Sequence, residues 1–222
     1  MGLFYLLRHG ETEWNAENRF CGRTDVPLSE AGRRQARSLA ARLKPIPFEA
    51  LYSSPLERAL ETTHLISESV GLQTVPDFRL VELDYGQWEG KTVAEIMESD
   101  PQTFCAWDAD PAQFAPPGGE SGLAAQQRVV SCLDSLAAKH PAGPVLVVFH
   151  KTVCRLAICH ALGMSPSEYR RRLVLNNAAL SIIQTRPYGW QLVTFNDTSH
   201  LSALGLETWD WGLAIREPTP SP

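Results

Sequence analysis

No run of residues in this 222-residue chain is apolar for long enough to cross a bilayer. The apolar opening, Leu3 to Leu7, is cut off by Arg8-His9 and is too short for a secretory signal. Leu6 stands where a myristoylation signal needs Ser or Thr. Cysteine is scarce and odd in number: Cys21, Cys105, Cys132, Cys154 and Cys159 form no C-x-x-C pair, so they read as reduced thiols. A cytoplasmic protein with no membrane partner is expected. Positive charge is also short, with 20 Lys and Arg against 25 Asp and Glu and a formal net charge of -5. Such a surface repels polyanions, so nucleic acid is not an expected partner. A small basic pocket remains compatible with this balance, since a few converging Arg and His side chains suffice to hold a phosphate ester.

Missing motifs narrow the chemistry. No cysteine is followed six positions later by arginine, which excludes a cysteine-nucleophile phosphatase loop. There is no H-E-x-x-H and no Walker loop. Asp108-Ala109-Asp110 lacks both the preceding apolar strand and the following hydroxyl residue of a magnesium-dependent aspartyl phosphatase, and reads as a loop.

What the chain does contain is an alternation of strand and helix patterns. Leu3 to Leu7 and Val145 to Phe149 are continuous apolar runs of strand length, as in strands covered on both faces. Leu51-Tyr52 is a third strand candidate, and Ser54-Pro55-Leu56-Glu57 after it reads as a capping box with Pro at the first helical position. Apolar residues recurring three and four apart predict helices near Ser29 to Leu43, Val93 to Glu98, Ala124 to Lys139 and Thr152 to Leu162. A late hairpin is expected around Pro187-Tyr188-Gly189. This pattern implies an α/β three-layer sandwich, a mainly parallel central sheet flanked by helices. One domain over residues 1–211 is expected, with a Pro-rich disordered tail over 212–222. Both long strands end in a histidine, His9 and His150, and carboxyl ends of parallel strands form the ligand crevice of open α/β sheets.

Leu6-Leu7-Arg8-His9-Gly10-Glu11-Thr12-Glu13-Trp14-Asn15 places a cation beside an imidazole at such a strand end, then a glycine that lets backbone approach a ligand. This run resembles the R-H-G-E-T signature of the histidine phosphatase superfamily, the phosphoglycerate mutase-like family. Asn18 to Ser29 is similar to the family's substrate loop, Ser53-Ser54-Pro55-Leu56-Glu57-Arg58-Ala59 to its S-P-x-x-R-A segment, Glu82 to Gly90 to its acid-bearing stretch and Phe149-His150 to its second histidine. The resemblance runs from Leu3 to about Leu201, with these segments in the family's order.

The resemblance implies an active site of Arg8, His9, Arg58, Glu82 and His150. It implies hydrogen bonding of phosphoryl oxygens by Asn15, and substrate facing the backbone around Cys21 and Gly22. Elementary chemistry gives each residue a task. A histidine attacks phosphorus only with one ring nitrogen unprotonated, and Arg8 and Arg58 disfavour a second cation at His9. Arg8, Arg58 and a protonated His150 are expected to stabilise charge on the equatorial oxygens. No metal or other cofactor is then needed. The leaving alkoxide needs a proton that a buried carboxylic acid can donate, and Glu82 is the candidate, with Asp84 and Glu89 near enough in sequence to compete. His64, His140, His160 and His200 default to structural or surface roles, although His200 lies in the late segment that can close over substrate in the family.

The chain departs from the family in two places. Lys151 and Thr152 follow the second histidine where most relatives have glycine. Lys151 could turn inward to pair with a substrate carboxylate, or outward to decorate a helix start where its charge is mildly unfavourable. Tyr85, among the substrate-binding positions, stands where a phosphoserine-type relative has histidine. Trp88-Glu89-Gly90-Lys91-Thr92 runs straight into a helix without the mutase insert, as in the phosphatase branch. The expected function is metal-independent hydrolysis of a small phosphorylated metabolite through a phosphohistidine on His9, with phosphoserine as the first choice of ester. The alternatives are a cofactor-dependent phosphoglycerate mutase, a phosphatase for α-ribazole phosphate or a sugar phosphate, and a non-catalytic binding protein. The resemblance also allows a homodimer, which composition does not reveal.

Overall fold

A computed structural model describes residues 1–205, so the expected tail over 212–222 lies outside the described residues. In chain order the elements are β1 (Leu3–Arg8), α1 (Glu13–Ala16), α2 (Glu30–Leu43), β2 (Ala50–Ser53), α3 (Glu57–Val70), β3 (Thr74–Pro76), α4 (Val93–Ser99) and α5 (Pro101–Ala109). There follow α6 (Gly122–Lys139), β4 (Pro144–Phe149), α7 (Lys151–Ala161), α8 (Tyr169–Arg172), β5 (Leu180–Arg186) and β6 (Gly189–Asp197). The strands form one sheet in the order β3-β2-β4-β1-β5-β6. β3, β2, β4 and β1 are parallel, and the β5–β6 hairpin adds antiparallel strands at one side.

The apolar run of β4 is continuous because both of its faces are covered. Val145, Val147 and Phe149 pack with Val129 and Leu133 of α6 and with Val153 and Leu156 of α7. Leu146 and Val148 point the other way, toward Leu39 and Leu43 of α2 and Ala59 and Ile66 of α3. Successive strand residues face opposite layers, so a single run feeds two cores. Burial of each such Val, Leu, Ile or Phe side chain contributes about 1.5–3 kcal/mol before chain entropy is counted. The expected sandwich with a mainly parallel sheet is present.

Two local expectations change. Helix α3 begins at Glu57, and its N-cap, Leu56, makes no side-chain cap; Asp25 instead accepts the Glu57 N–H at 2.8 Å. The Ser54 hydroxyl accepts from the Leu56 N–H at 3.3 Å, ahead of the helix, and lies 2.7 Å from His150 Nε2. Asp108-Ala109 is the end of α5, not a loop: Asp100 accepts from Thr103 N–H and Pro101 occupies the first turn. Gly10 serves helix packing, since a Cβ there would lie 2.6 Å from the Gly32 carbonyl oxygen at the start of α2. His200 sits against α2, near Arg42 Nη1 at 3.2 Å, with its carbonyl accepting from Ser38.

Candidate active site

Strand register brings the two histidines together. Arg8 of β1 is paired with Phe149 of β4, so the next residues, His9 and His150, leave the sheet side by side. The His9 N–H donates to the Phe149 carbonyl at 3.1 Å, and the two imidazole centroids are 5.1 Å apart. Both rings are buried, with His9 3% exposed and His150 fully enclosed.

Hydrogen bonding sets the tautomer of His9. Its Nδ1 lies 2.6 Å from the Gly10 carbonyl oxygen, which can only accept, so Nδ1 carries the proton. Burial first, then the charges of Arg58 and Arg8, hold the His9 pKa well below the ordinary histidine value. The ring is therefore neutral and Nε2 keeps a free lone pair. His150 is also driven well below the ordinary value, by burial and then by Arg58, His9 and Arg8. Burial and the surrounding cations thus favour the neutral ring over the protonated His150 expected from the sequence. Its Nε2 lies 2.7 Å from Ser54 Oγ, and its Nδ1 is buried with no hydrogen-bond partner among the described residues.

The arginines are held by backbone oxygens. Arg8 Nη1 donates to the Leu175 carbonyl at 2.5 Å, and Arg58 donates to the carbonyls of Gly22 at 2.6 Å and Thr24 at 3.0 Å. Arg58 Nε is buried without an acceptor among the described residues. The loop that Arg58 grips is fastened from the other side by Glu89, whose carboxylate accepts from the N–H groups of Arg23 and Thr24, both at 2.7 Å, and from the Thr24 hydroxyl. Glu89 is consumed as a loop clamp. Asp84 pairs with Arg23 at 3.4 Å. The two competitors of Glu82 are thereby occupied elsewhere.

Glu82 occupies the N-terminus of α7. Its oxygens accept from the N–H groups of Thr152 at 2.9 Å and Val153 at 3.2 Å, and from its own neighbour Leu83 at 2.7 Å. The formal N-cap of α7, His150, provides no side-chain cap, so a carboxylate 70 residues upstream does so. Glu82 and the second histidine are thus tied to one helix start.

A cavity of about 520 Å³ opens over these groups, a size suited to a small molecule. Of the expected residues, Arg8, His9, Asn15, Cys21, Glu82, Tyr85 and Lys151 line it. Arg58, His150 and Gly22 are not among the lining residues, although the His150 ring lies directly beside that of His9. Gly22 packs against Leu83 and Glu89 and presents its carbonyl to Arg58, so it holds an arginine where the sequence reading had it facing substrate. Asn15 Oδ1 accepts from Thr12 N–H at 3.1 Å and from Asn177 at 3.3 Å, leaving its amide donor for a ligand. Burial pushes the Cys21 thiol up, so it stays protonated. The Tyr85 hydroxyl lies 2.8 Å from Thr152 Oγ1, and burial pushes its pKa well up.

The far wall was not expected. Trp107, Arg155, Tyr169 and Arg170 line it. Two signals for it exist in the chain: the basic run Arg170-Arg171-Arg172, and the four-residue spacing that sets Arg155 on the same helix face as Lys151.

Comparison with known proteins agrees with this geometry. Residues 4–198 match the histidine phosphatase superfamily (branch 1). The chain is 34% identical to phosphoserine phosphatase 1 of Hydrogenobacter thermophilus over 202 residues, covering 91% of this chain and 95% of the relative. It is also 34% identical over 212 residues to a probable phosphoglycerate mutase, GpmB, of Cronobacter sakazakii, covering 91% and 96%. The structure of Bacillus stearothermophilus YhfR superposes with a TM-score of 0.86 at 32% identity, covering 91% of this chain and all of the other. With two histidines on adjacent parallel strand ends, two buried arginines and a match from residue 4 to residue 198, the chain belongs to the histidine phosphatase superfamily, branch 1.

Proposed function

We propose that this protein hydrolyses a small phosphate monoester without a metal, through a phosphohistidine formed on His9. The observation that carries this reading is the neutral His9, its Nδ1 proton given to the Gly10 carbonyl, beside two buried guanidinium groups. Nε2 attacks phosphorus as the ester P–O bond breaks. The phosphoryl oxygens supply the acceptors that buried Arg58 Nε and His150 Nδ1 lack. With the Ser54 hydroxyl donating to His150 Nε2, the neutral ring carries its proton on Nδ1 and donates it as a hydrogen bond. Glu82, on the cavity wall, gives a proton to the departing alkoxide. Water then attacks phosphorus as Glu82 takes a proton from it, the Nε2–P bond breaks, and inorganic phosphate leaves His9 as it began.

The test is phosphate release by chelator-treated protein from phosphoserine, α-ribazole phosphate, a sugar phosphate and the phosphoglycerates, with acid quenching. We expect release from at least one ester and an acid-labile label on His9. Phosphoserine is the first choice, in keeping with the name of the Hydrogenobacter relative. Interconversion of 2- and 3-phosphoglycerate without net release assigns a mutase instead. Label that survives acid removes the phosphohistidine.

The pH profile follows from the same electrostatics. His9 acts as the neutral base, and its lowered pKa keeps it so as pH falls through about 6.5, where a model histidine would protonate. The acid limb of kcat/KM should therefore lie below that value. Arg58→Gln removes one of the causes, so the limb should move upward relative to the parent protein on the same ester. Identical limbs would mean that Arg58 does not act on His9. The stability sign is fixed too: below about pH 6.5 the unfolded chain binds protons that buried His9 and His150 refuse, so stability falls on acidification.

A further inference from the structure

The far wall of the cavity contains a buried cation that the proposed phosphoryl chemistry does not use. Arg155 is 7% exposed and lines the cavity from α7. Its Nε donates to the Tyr169 carbonyl at 3.1 Å, and its guanidinium lies 5.0 Å from the Tyr169 ring centroid. Among the described residues, Nη1 and Nη2 take no acceptor, yet neither is sealed from the cavity, and no carboxylate pairs with the group. A guanidinium in this position has lost most of its water and gained no counter-ion, at a cost that a bound anion would offset.

The neighbouring cations do not share this condition. Arg170 stacks on Trp107 at 4.1 Å and is paired with Asp108 at 3.1 Å. Arg171 is exposed and turned to the carbonyls of Asp108 and Ala109. Among the described residues, the wall formed by Trp107, Arg155, Tyr169 and Arg170 therefore has one unanswered positive charge. A single charge with a flat two-donor fork matches a carboxylate, and a second phosphate dianion would leave excess negative charge in a dry site.

Arg155 also stands at a defined distance from the chemistry. It lies on the face of α7 that begins at Lys151, about 6 Å along the axis, roughly one turn from the helix start that Glu82 caps. We propose that Arg155 binds the carboxylate of the substrate, so that the esters turned over are small phosphorylated carboxylic acids with the carboxylate a few bonds from the ester oxygen. This deepens the phosphatase reading and rests on it for the position of the phosphoryl group.

Phosphoserine and phosphoethanolamine test this, because they share phosphoryl, ester and ammonium groups and differ in the carboxylate. Steady-state kinetics should show the parent protein preferring phosphoserine on the order of 100-fold in kcat/KM, chiefly through KM. Arg155→Gln should bring the ratio near unity, and Arg155→Lys should retain part of it, since an ammonium lacks the fork. Calorimetric titration of the His9→Ala protein with both esters should show the same preference in affinity, and Arg155→Gln added to it should erase it. Equal treatment of the two esters by the parent protein, or a parallel fall for both in Arg155→Gln with the ratio kept, overturns the carboxylate site. If Arg155→Gln does not fold, the ratio must still drop in Arg155→Lys, and an unchanged ratio there overturns it. Binding that discriminates without any turnover would sink the phosphatase reading alone and leave Arg155 as proposed.

Discussion

Replacing His9 with alanine is expected to lower kcat for every hydrolysed ester by about 10⁴-fold or more, the scale seen when a covalent nucleophile is removed. No other group of the site can take its place. Cys21 lines the cavity, yet burial keeps its thiol protonated. His150 has one ring nitrogen engaged by Ser54 and does not line the cavity. The arginines, protonated guanidinium groups with no acceptor lone pair, cannot attack phosphorus. His9 leaves a ring-sized void when truncated, so far-ultraviolet circular dichroism and retained ester binding should accompany the assay. A folded His9→Ala protein that binds phosphoserine and turns it over at the parental rate would end the phosphohistidine reading.

Glu82→Gln should show the second largest loss, and its pattern separates two roles that one carboxylate holds. As an acid, Glu82 matters in proportion to how poor the leaving group is. Alkyl phosphates should lose about 10²- to 10⁴-fold, while an activated aryl ester, whose phenolate departs without help, should lose less than about tenfold. As a cap, Glu82 accepts from Thr152 and Val153, and an amide that turns its NH₂ toward either donor weakens the start of α7 at a cost of about 1–2 kcal/mol. That loss would burden both esters equally and appear as a lowered Tm. Rate measurements on the two leaving groups, with thermal denaturation alongside, decide between them. Equal losses on both would assign Glu82 to capping alone.

Much of the site was legible because it is local to strand ends. The apolar runs before His9 and His150 mark buried parallel strands, and parallel strands leave the sheet at a common edge. Arg8 adjoins His9 in sequence, so one cation of the site needed no folding argument. Arg58 was legible for a partly wrong reason. Ser54 was read as the cap of its helix, whereas the hydroxyl accepts only from Leu56 N–H, ahead of the helix, and contacts His150, and Arg58 grips the loop at Gly22 and Thr24. Gly10 also answers to helix α2, where a Cβ would meet the Gly32 carbonyl.

The choice among Glu82, Asp84 and Glu89 was not legible, because all three lie within eight residues and side-chain chemistry does not separate the two glutamates. The fold separates them by what each meets: the N–H groups of α7 for Glu82, the loop at Arg23 and Thr24 for Glu89, and Arg23 for Asp84. The neutral state of His150 was equally hidden. Its charge depends on desolvation and on Arg58, which reaches it from another segment of the chain.

The amino-acid sequence alone determined the sheet and the two histidine-bearing strand ends, because strand periodicity and adjacent residues act over short distances along the chain, and the resemblance of its motifs to the family carried the class of phosphoryl chemistry. Only the tertiary structure decided which carboxylate lines the cavity, which histidine rings burial and neighbouring cations hold neutral, and which arginine of the far wall has no carboxylate partner among the described residues. Those outcomes depend on burial and on partners as far as 96 residues away in sequence. The free energy of an ionisable group is set by the water it loses and the charges it meets, and neither is written in its own neighbourhood of the sequence.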